Sequence, residues 1–272
     1  MTGLDILCAG LAELGVRHVF GLPGTQNAAL FTALPHHGIR PILATHEASA
    51  SFMANGYARA SGRVGVVATI PGPGFTFAFP GLAEARLDSV PILQVVGQPA
   101  RGAQRFLHQA IDQAGMAGPL VKRVVDVESG DEVAPRLREA HALALSGEPG
   151  PVILHLAPDV LGAEVAQGAG EAPVLTGGVD ASTPEWVQPL RRIVNEAERP
   201  VLFLGAGTLG YAADVRALVE DLSAPTFATL TARGVLPEDH PCATGFDADR
   251  GGLAELNDLL DGSDLILALG CK

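Results

Sequence analysis

The residues best suited to chemistry sit in short segments that each follow an apolar run. Gly21-Leu22-Pro23-Gly24-Thr25 and Ile70-Pro71-Gly72-Pro73-Gly74 are glycine- and proline-rich turns directly after strand-like stretches. Placed there, both are candidates for the carboxyl edge of an open α/β sheet, where ligands bind. His46-Glu47 follows Pro41–Ala44 and opens a run with helical spacing through Phe52, Met53, Gly56, Tyr57, Ala58 and Arg59. On pattern alone Glu47 is an acid at a helix N-terminus, where the helix dipole favours negative charge. Gly205-Ala206-Gly207-Thr208-Leu209-Gly210 completes a G-x-G-x-x-G between a strand and a helix, the setting of a dinucleotide fingerprint. The acid which that fingerprint expects about 20 residues later is missing, since the region reads Ala228-Thr229-Leu230-Thr231-Ala232-Arg233. Gly205, Gly207 and Gly210 therefore allow two readings: a nucleotide site, or glycines that let a strand turn into a closely packed helix. Cys8, Cys242 and Cys271 are widely spaced and show no metal-ligand pattern, so no metal site is read in this chain.

These segments need elements to hold them. Helical and extended patterns alternate: Leu4–Leu14, Val16–Leu22, Ala28–Leu34, Ile39–Ala44, Glu47–Ala60, Val64–Ile70, Phe75–Leu87 and Pro91–Gly97. Val121–Val127, Glu132–Leu145 and Val152–Leu156 add a strand, a helix and a strand. The strands are nearly continuous apolar runs, as expected where helices cover both faces of a sheet. The expected fold class is α/β: a doubly wound, parallel, six-stranded domain over residues 1–157. Residues 158–183, with little periodicity, read as a linker. A partial Rossmann-like central domain is expected over 184–272, with helices at Pro184–Ala197, Tyr211–Leu222 and Leu253–Leu260 and strands at Val201–Leu204, Pro225–Ala228 and Leu265–Leu269. Ending directly after a strand, it reads as truncated.

Composition removes several function classes. The 272 residues hold 18 Lys and Arg against 30 Asp and Glu, and the resulting charge of −12 lacks the positive field that draws phosphate backbones. Aromatic residues make up 5%, too few to suggest a stacking platform for single strands, so no nucleic-acid partner is expected. No apolar run approaches the ~20 residues that span a bilayer, and no basic residue precedes Arg17, so neither a membrane association nor a signal peptide is expected. An odd number of dispersed cysteines fits a reducing cytoplasm.

Taken in order, the motifs resemble the pyrimidine-binding domain of thiamine-diphosphate enzymes of the acetolactate synthase and benzoylformate decarboxylase type. The resemblance rests on Val19-Phe20-Gly21-Leu22-Pro23-Gly24, on His46-Glu47-Ala48 with Ala54-Asn55-Gly56-Tyr57-Ala58-Arg59, and on Gly72-Pro73-Gly74 with Gly81-Leu82-Ala83-Glu84-Ala85. It continues through Asp88-Ser89-Val90-Pro91, Gly97-Gln98 and Gly147-Glu148-Pro149-Gly150-Pro151-Val152. From Pro184 the chain resembles the family's central domain, at Pro200-Val201-Leu202, Gly205-Ala206-Gly207, Gly234-Val235-Leu236-Pro237-Glu238-Asp239-His240-Pro241 and Asp264-Leu265-Ile266-Leu267-Ala268-Leu269-Gly270.

The resemblance implies thiamine diphosphate as cofactor and a 2-oxo acid as substrate. The cofactor reacts through its thiazolium C2, an electron sink for the charge released when CO2 leaves. In this family a buried carboxyl group hydrogen-bonds the aminopyrimidine ring and favours the tautomer that removes the C2 proton. Glu47 occupies the matching position and is the implied catalytic residue, with Pro23, Gly24, Gly72, Pro73 and Gly74 beside the cofactor. Thr25 stands where relatives place a residue near the substrate carboxylate, and a hydroxyl can contact it without acting as a charged acid or base. His108-Gln109 lies in a segment that faces the substrate in relatives, although His108 also reads as an ordinary exposed loop histidine. Pro71 and Phe77 replace residues that are commonly Ser and Asn around this turn.

Relatives anchor the diphosphate through Mg2+ held by a Gly-Asp-Gly…Asn motif in a third domain, and nothing in this sequence matches it; Gly130-Asp131-Glu132 lacks the second glycine. The Mg2+ ligands are thus expected outside this chain, and the chain alone is expected to be inactive. A homo-oligomer, dimer or tetramer, is implied because one subunit's pyrimidine domain meets another's diphosphate domain. Two alternatives remain at this stage: binding of FAD or an adenine nucleotide at Gly205, Gly207 and Gly210, and a non-catalytic assembly module that keeps the fold.

Overall fold

Thr2 and Asp5 fix the start of the first helix in the computed structural model, which describes residues 1–99, 109–165, 184–246 and 254–272. The Thr2 hydroxyl accepts from the Asp5 N–H at 3.2 Å and the Thr2 N–H donates to Asp5 Oδ2 at 2.9 Å, a capping box that opens α1 (Gly3–Glu13). The chain then runs through β1 (His18–Gly21), α2 (Ala28–Ala33), β2 (Arg40–Leu43), α3 (Glu47–Ser61), β3 (Gly65–Thr69), α4 (Pro73–Phe77), α5 (Phe79–Leu87) and β4 (Ile92–Gly97). After it come α6 (Gln113–Ala117), β5 (Arg123–Val127), α7 (Val133–Leu145), β6 (Val152–Leu156) and α8 (Pro158–Gly162). These elements belong to a first unit, Met1–Gly178.

Its six strands are all parallel, in the order β2-β1-β3-β4-β6-β5. Alternate residues of each strand feed two cores. Val19, Val66, Ala68, Leu93, Val95, Val152, Leu154 and Leu156 pack with α1, α2 and α7 on one face, while Phe20, Val67, Ile92, Val96 and Ile153 pack with α3, α5 and Phe75 on the other. This two-sided burial is why the strands read as unbroken apolar runs. The strand order reverses between β1 and β3: the chain leaves β1 for β2 on one side and returns to β3 on the other. In open α/β sheets the crevice at such a reversal, outside the carboxyl ends of the strands, is where ligands bind.

A second unit, Val179–Lys272, holds α9 (Val187–Glu196), β7 (Pro200–Leu204), α10 (Ala212–Leu222), β8 (Thr226–Ala228), β9 (Ala243–Phe246), α11 (Ala254–Asp261) and β10 (Leu265–Leu269). Its parallel sheet has the order β10-β7-β8-β9 around a core of Leu202, Leu204, Val215, Val219, Ala232 and Val235.

The sequence expectations need correcting in several places. The helix expected over Phe75–Leu87 is two helices, broken at Ala78, because Pro80 has no N–H to continue the ladder and serves as a first-turn residue of α5. The linker does not begin at 158. Helix α8 packs on α1, where a Cβ on Gly3 would meet the Val160 carbonyl oxygen at 2.2 Å, and Gly3 N–H donates to Ala163 O at 3.0 Å. Strand β9 and helix α6 lacked a readable periodicity. Between β7 and α10 the residues Ala206–Tyr211 form a 3-10 segment, so the helix expected from Tyr211 starts one residue later, at Ala212. Among the described residues no helix is long and apolar enough to cross a membrane.

Candidate functional site

The loops after β1 and β3 and the start of α3 meet at the carboxyl edge of the first sheet. Asn27, buried at 5% exposure, shapes the first loop: its Oδ1 accepts from Gly24 N–H at 2.7 Å and its Nδ2 donates to Leu22 O at 3.0 Å. An Asn side chain that ties back to its own loop in this way is a common turn device. Pro23 and Thr25 are exposed on this loop, and Gly24 faces inward: a Cβ there would lie 2.6 Å from Ile70 Cγ2.

Ile70 is shared. A Cβ on Gly74 would come within 2.5 Å of Ile70 Cγ1 and 3.0 Å of Glu47 Oε1. Gly24, Ile70, Gly74 and Glu47 are therefore close-packed neighbours, and the two glycines permit an approach that any side chain would block. Gly72 has φ +68° and ψ −123°, a conformation that glycine adopts and other residues resist. A Cβ on it would also strike Gln109 Cα at 2.8 Å. Gly72 and Gly74 are buried, and Pro73 between them is exposed.

Glu47 is the first residue of α3 and is 8% exposed. His46 caps the helix, its Nδ1 accepting from Ala48 N–H at 3.1 Å, and its ring lies against Phe77 with centroids 5.1 Å apart. Among the described residues nothing hydrogen-bonds or ion-pairs with the Glu47 carboxylate. A buried acid is normally paired, and one held at a helix N-terminus at the carboxyl edge of the sheet is placed to bind a polar group from outside. Gln109, at φ +74°, accepts from Gln26 Nε2 at 2.6 Å and so borders the Gly72 turn on its other side. Gln26 Oε1 is buried without a partner. His108 lies outside the described residues.

The residues singled out in the sequence thus fall into two places. Gly24, Glu47, Gly72, Gly74 and Gln109 come together, with Pro23, Thr25 and Pro73 on the exposed rims of the same loops. Gly205, Gly207 and Gly210 belong to the second unit. Their geometry favours the packing reading: Gly205 N–H donates to Leu269 O at 2.8 Å and Gly207 N–H to Gly270 O at 3.1 Å. A Cβ on Gly205 would sit 2.1 Å from Gly270 O. Amides that a pyrophosphate would need are thereby committed to the turn after β10. Sequence reasoning missed Asn27, for which an Asn directly before a helix was the available signal, and it named Ile70 only as the start of its turn, with nothing to mark the contacts it makes.

Residues 1–116 match the family model for the N-terminal TPP binding domain of thiamine pyrophosphate enzymes, and residues 187–272 match the central domain of the same enzymes. The whole chain aligns at 34% identity with the large subunit of acetolactate synthase isozyme 1 from Escherichia coli K12, covering 48% of that protein. It aligns at 33% with an acetolactate synthase of Arthrospira platensis and at 34% with a probable 2-ketoarginine decarboxylase of Pseudomonas aeruginosa, covering 49% of each. The chain spans about half the length of the curated relatives it matches.

Proposed function

Since the chain belongs to the thiamine pyrophosphate enzyme family, we propose that it supplies the pyrimidine-holding half of the active site in an acetolactate synthase-like decarboxylase or carboligase of 2-oxo acids. The observation that carries this reading is Glu47: a buried acid without a described partner, held beside Gly74 and Ile70 at the carboxyl edge of the sheet. A flat heteroaromatic ring with one hydrogen-bonding nitrogen fits such a place, its face on backbone and an aliphatic side chain and its edge on the acid.

Thiamine diphosphate held there would supply an electron sink for the charge released when a 2-oxo acid loses CO2. The residues of this chain prepare it. Glu47 holds a proton between its carboxyl and the pyrimidine ring nitrogen. Asn27 fixes the Gly24 loop, and the Gly72-Pro73-Gly74 turn packs with Ile70 beside the Glu47 carboxyl. Thr25 and Gln109 are read as contacts for the 2-oxo acid, and His108 keeps that role from the sequence resemblance alone. The diphosphate and its Mg2+ are held by residues outside this chain, in a homo-oligomer where a partner subunit completes the site. A cytoplasmic enzyme is consistent with Cys8, Cys242 and Cys271 as free thiols. The proposal includes no flavin, because Gly205 and Gly207 already have backbone partners.

The test is Glu47→Gln in the full-length protein, with thiamine diphosphate and Mg2+ added and CO2 release followed from a panel of 2-oxo acids beginning with pyruvate. The variant should fold and lose at least about a hundredfold in CO2 release, the scale of a positioned proton-transfer group. Wild-type turnover by the variant would remove Glu47 from the mechanism.

A further inference from the structure

Beneath the Gly72 turn lies a polar chain that the proposed function does not use. Gly72 N–H donates to Gln113 Oε1 at 3.1 Å, Gln113 Nε2 lies 3.4 Å from His155 Nε2, and His155 Nδ1 lies 2.9 Å from Asp126 Oδ1. Gln98 Nε2 donates to the same Asp126 oxygen at 3.3 Å. Gln113 is 4% exposed and His155 1%, the latter in the otherwise apolar strand β6 and edge-on to Phe75, with ring centroids 6.2 Å apart. Burying an amide and an imidazole costs free energy unless every group is satisfied, so an apolar pair would serve a purely packing role better.

We propose that Gln113 and His155, anchored by Asp126, are positioning residues that fix the Gly72 peptide and thereby the Gly72-Pro73-Gly74 turn against Glu47 for the cofactor. This rests on the reading of Glu47 and the turn beside it as the pyrimidine site. The direction of the chain is set by its first bond. Gly72 N–H can only donate, so Gln113 turns its oxygen to Gly72 and its NH2 to His155. His155 Nε2 must then accept, and the ring proton sits on Nδ1, donating to Asp126. One protonation state satisfies every member. Burial pushes the imidazole below its ordinary value, and Asp126 opposes this in part. Asp126 of β5 is the charged group facing the ring; Gln113 of α6 and Phe75 of α4 are neutral. A proton added to Nε2 would set two donors against each other. Gln113 could relieve them only by turning its NH2 toward Gly72 N–H, which would leave that peptide without an acceptor.

Two variants of the full-length protein test the relay, with two readouts. Hydrogen exchange of the segment containing Gly72 is followed without cofactor, and thiamine diphosphate affinity is measured by calorimetry at about pH 8 and about pH 5.5, either side of histidine titration. In Gln113→Leu, Gly72 exchange should rise and affinity at the higher pH should fall, each about tenfold, the loss of one buried hydrogen bond. Gln113→Glu keeps an acceptor for Gly72 and tolerates a proton on His155, so its exchange should stay near wild type. Its affinity should also lose the decline that wild type shows in acid. Unchanged exchange and affinity in Gln113→Leu, or an equal acid decline in wild type and Gln113→Glu, would overturn the relay. A wild-type protein that binds no thiamine diphosphate would instead overturn the functional reading, while the Gly72 exchange rates would still decide whether the relay holds the turn.

Discussion

The two sheets carry the same kind of feature at the same topological place and use it oppositely. In the first unit the strand order reverses between β1 and β3, in the second between β7 and β10, and both reversals have glycine-rich turns at the carboxyl ends of the strands. At the first reversal Gly24 and Gly74 approach the Ile70 side chain, and Gly74 also the carboxyl of Glu47, a buried acid. At the second, Gly205 and Gly207 approach the backbone of Gly270, and the crevice is closed by the chain itself. A glycine turn at a switch point therefore reports a close approach and not what approaches. The residue opposite decides: a carboxylate without a described partner in one case, a hydrogen-bonded peptide in the other.

The sharpest break in this comparison is expected from Gly205→Ala. Its Cβ would lie 2.1 Å from Gly270 O, a backbone atom that cannot rotate away, so the variant should lose about 3 kcal/mol of stability, at the upper end of overpacking costs. Chemical denaturation of the full-length protein measures it, and cofactor affinity of the folded protein should be unchanged. Gly74→Ala should do the reverse on a smaller scale. Ile70 can shift in part, and the new methyl group would stand against the Glu47 carboxyl, so thiamine diphosphate affinity should fall about tenfold, with a stability loss of about 1 kcal/mol. A cofactor effect from Gly205→Ala and none from Gly74→Ala would invert the assignment of the two edges.

The smallest expected effect is pH-dependent. His155 and His141 are both pushed by burial below the ordinary value of 6.5. The unfolded chain then binds protons more readily than the folded one, so their contribution is complete above about pH 6.5 and declines as pH falls through that value toward the folded one. The melting temperature should drop by a few degrees between about pH 8 and about pH 5.5, and the drop should be shallower in His155→Gln. Equal slopes in the two proteins would mean that His155 does not titrate with folding.

Much of this architecture was legible from apolar runs: Val152–Leu156, buried throughout, and Leu265–Leu269, apolar although Ile266 and Ala268 are exposed, were read with the ends they have, and α3 begins at Glu47 as expected. Errors arose where one residue overrode a pattern or where the pattern was absent. Pro80 splits an apolar-periodic stretch, and Ala243–Phe246 pairs as a strand without alternation of its own. In the candidate site the glycines and Glu47 were visible as motifs. Ile70 was named as the start of its turn, but an isoleucine at the end of an apolar strand carries no local sign that two turns lean on it. The Gln113–His155–Asp126 relay was equally hidden: its members come from three elements, and His155 reads as one polar interruption in an apolar strand. Contacts of that kind are set by the fold and have no sequence spacing to betray them.

The most direct measurement is a crystal structure of the full-length protein with thiamine diphosphate and Mg2+. The account predicts the aminopyrimidine ring over the Gly72-Pro73-Gly74 turn, with a Glu47 carboxyl oxygen at hydrogen-bond distance, about 2.6–3.2 Å, from a ring nitrogen. A cofactor bound with its pyrimidine away from Glu47, or held at the second unit's glycine turn, would contradict it.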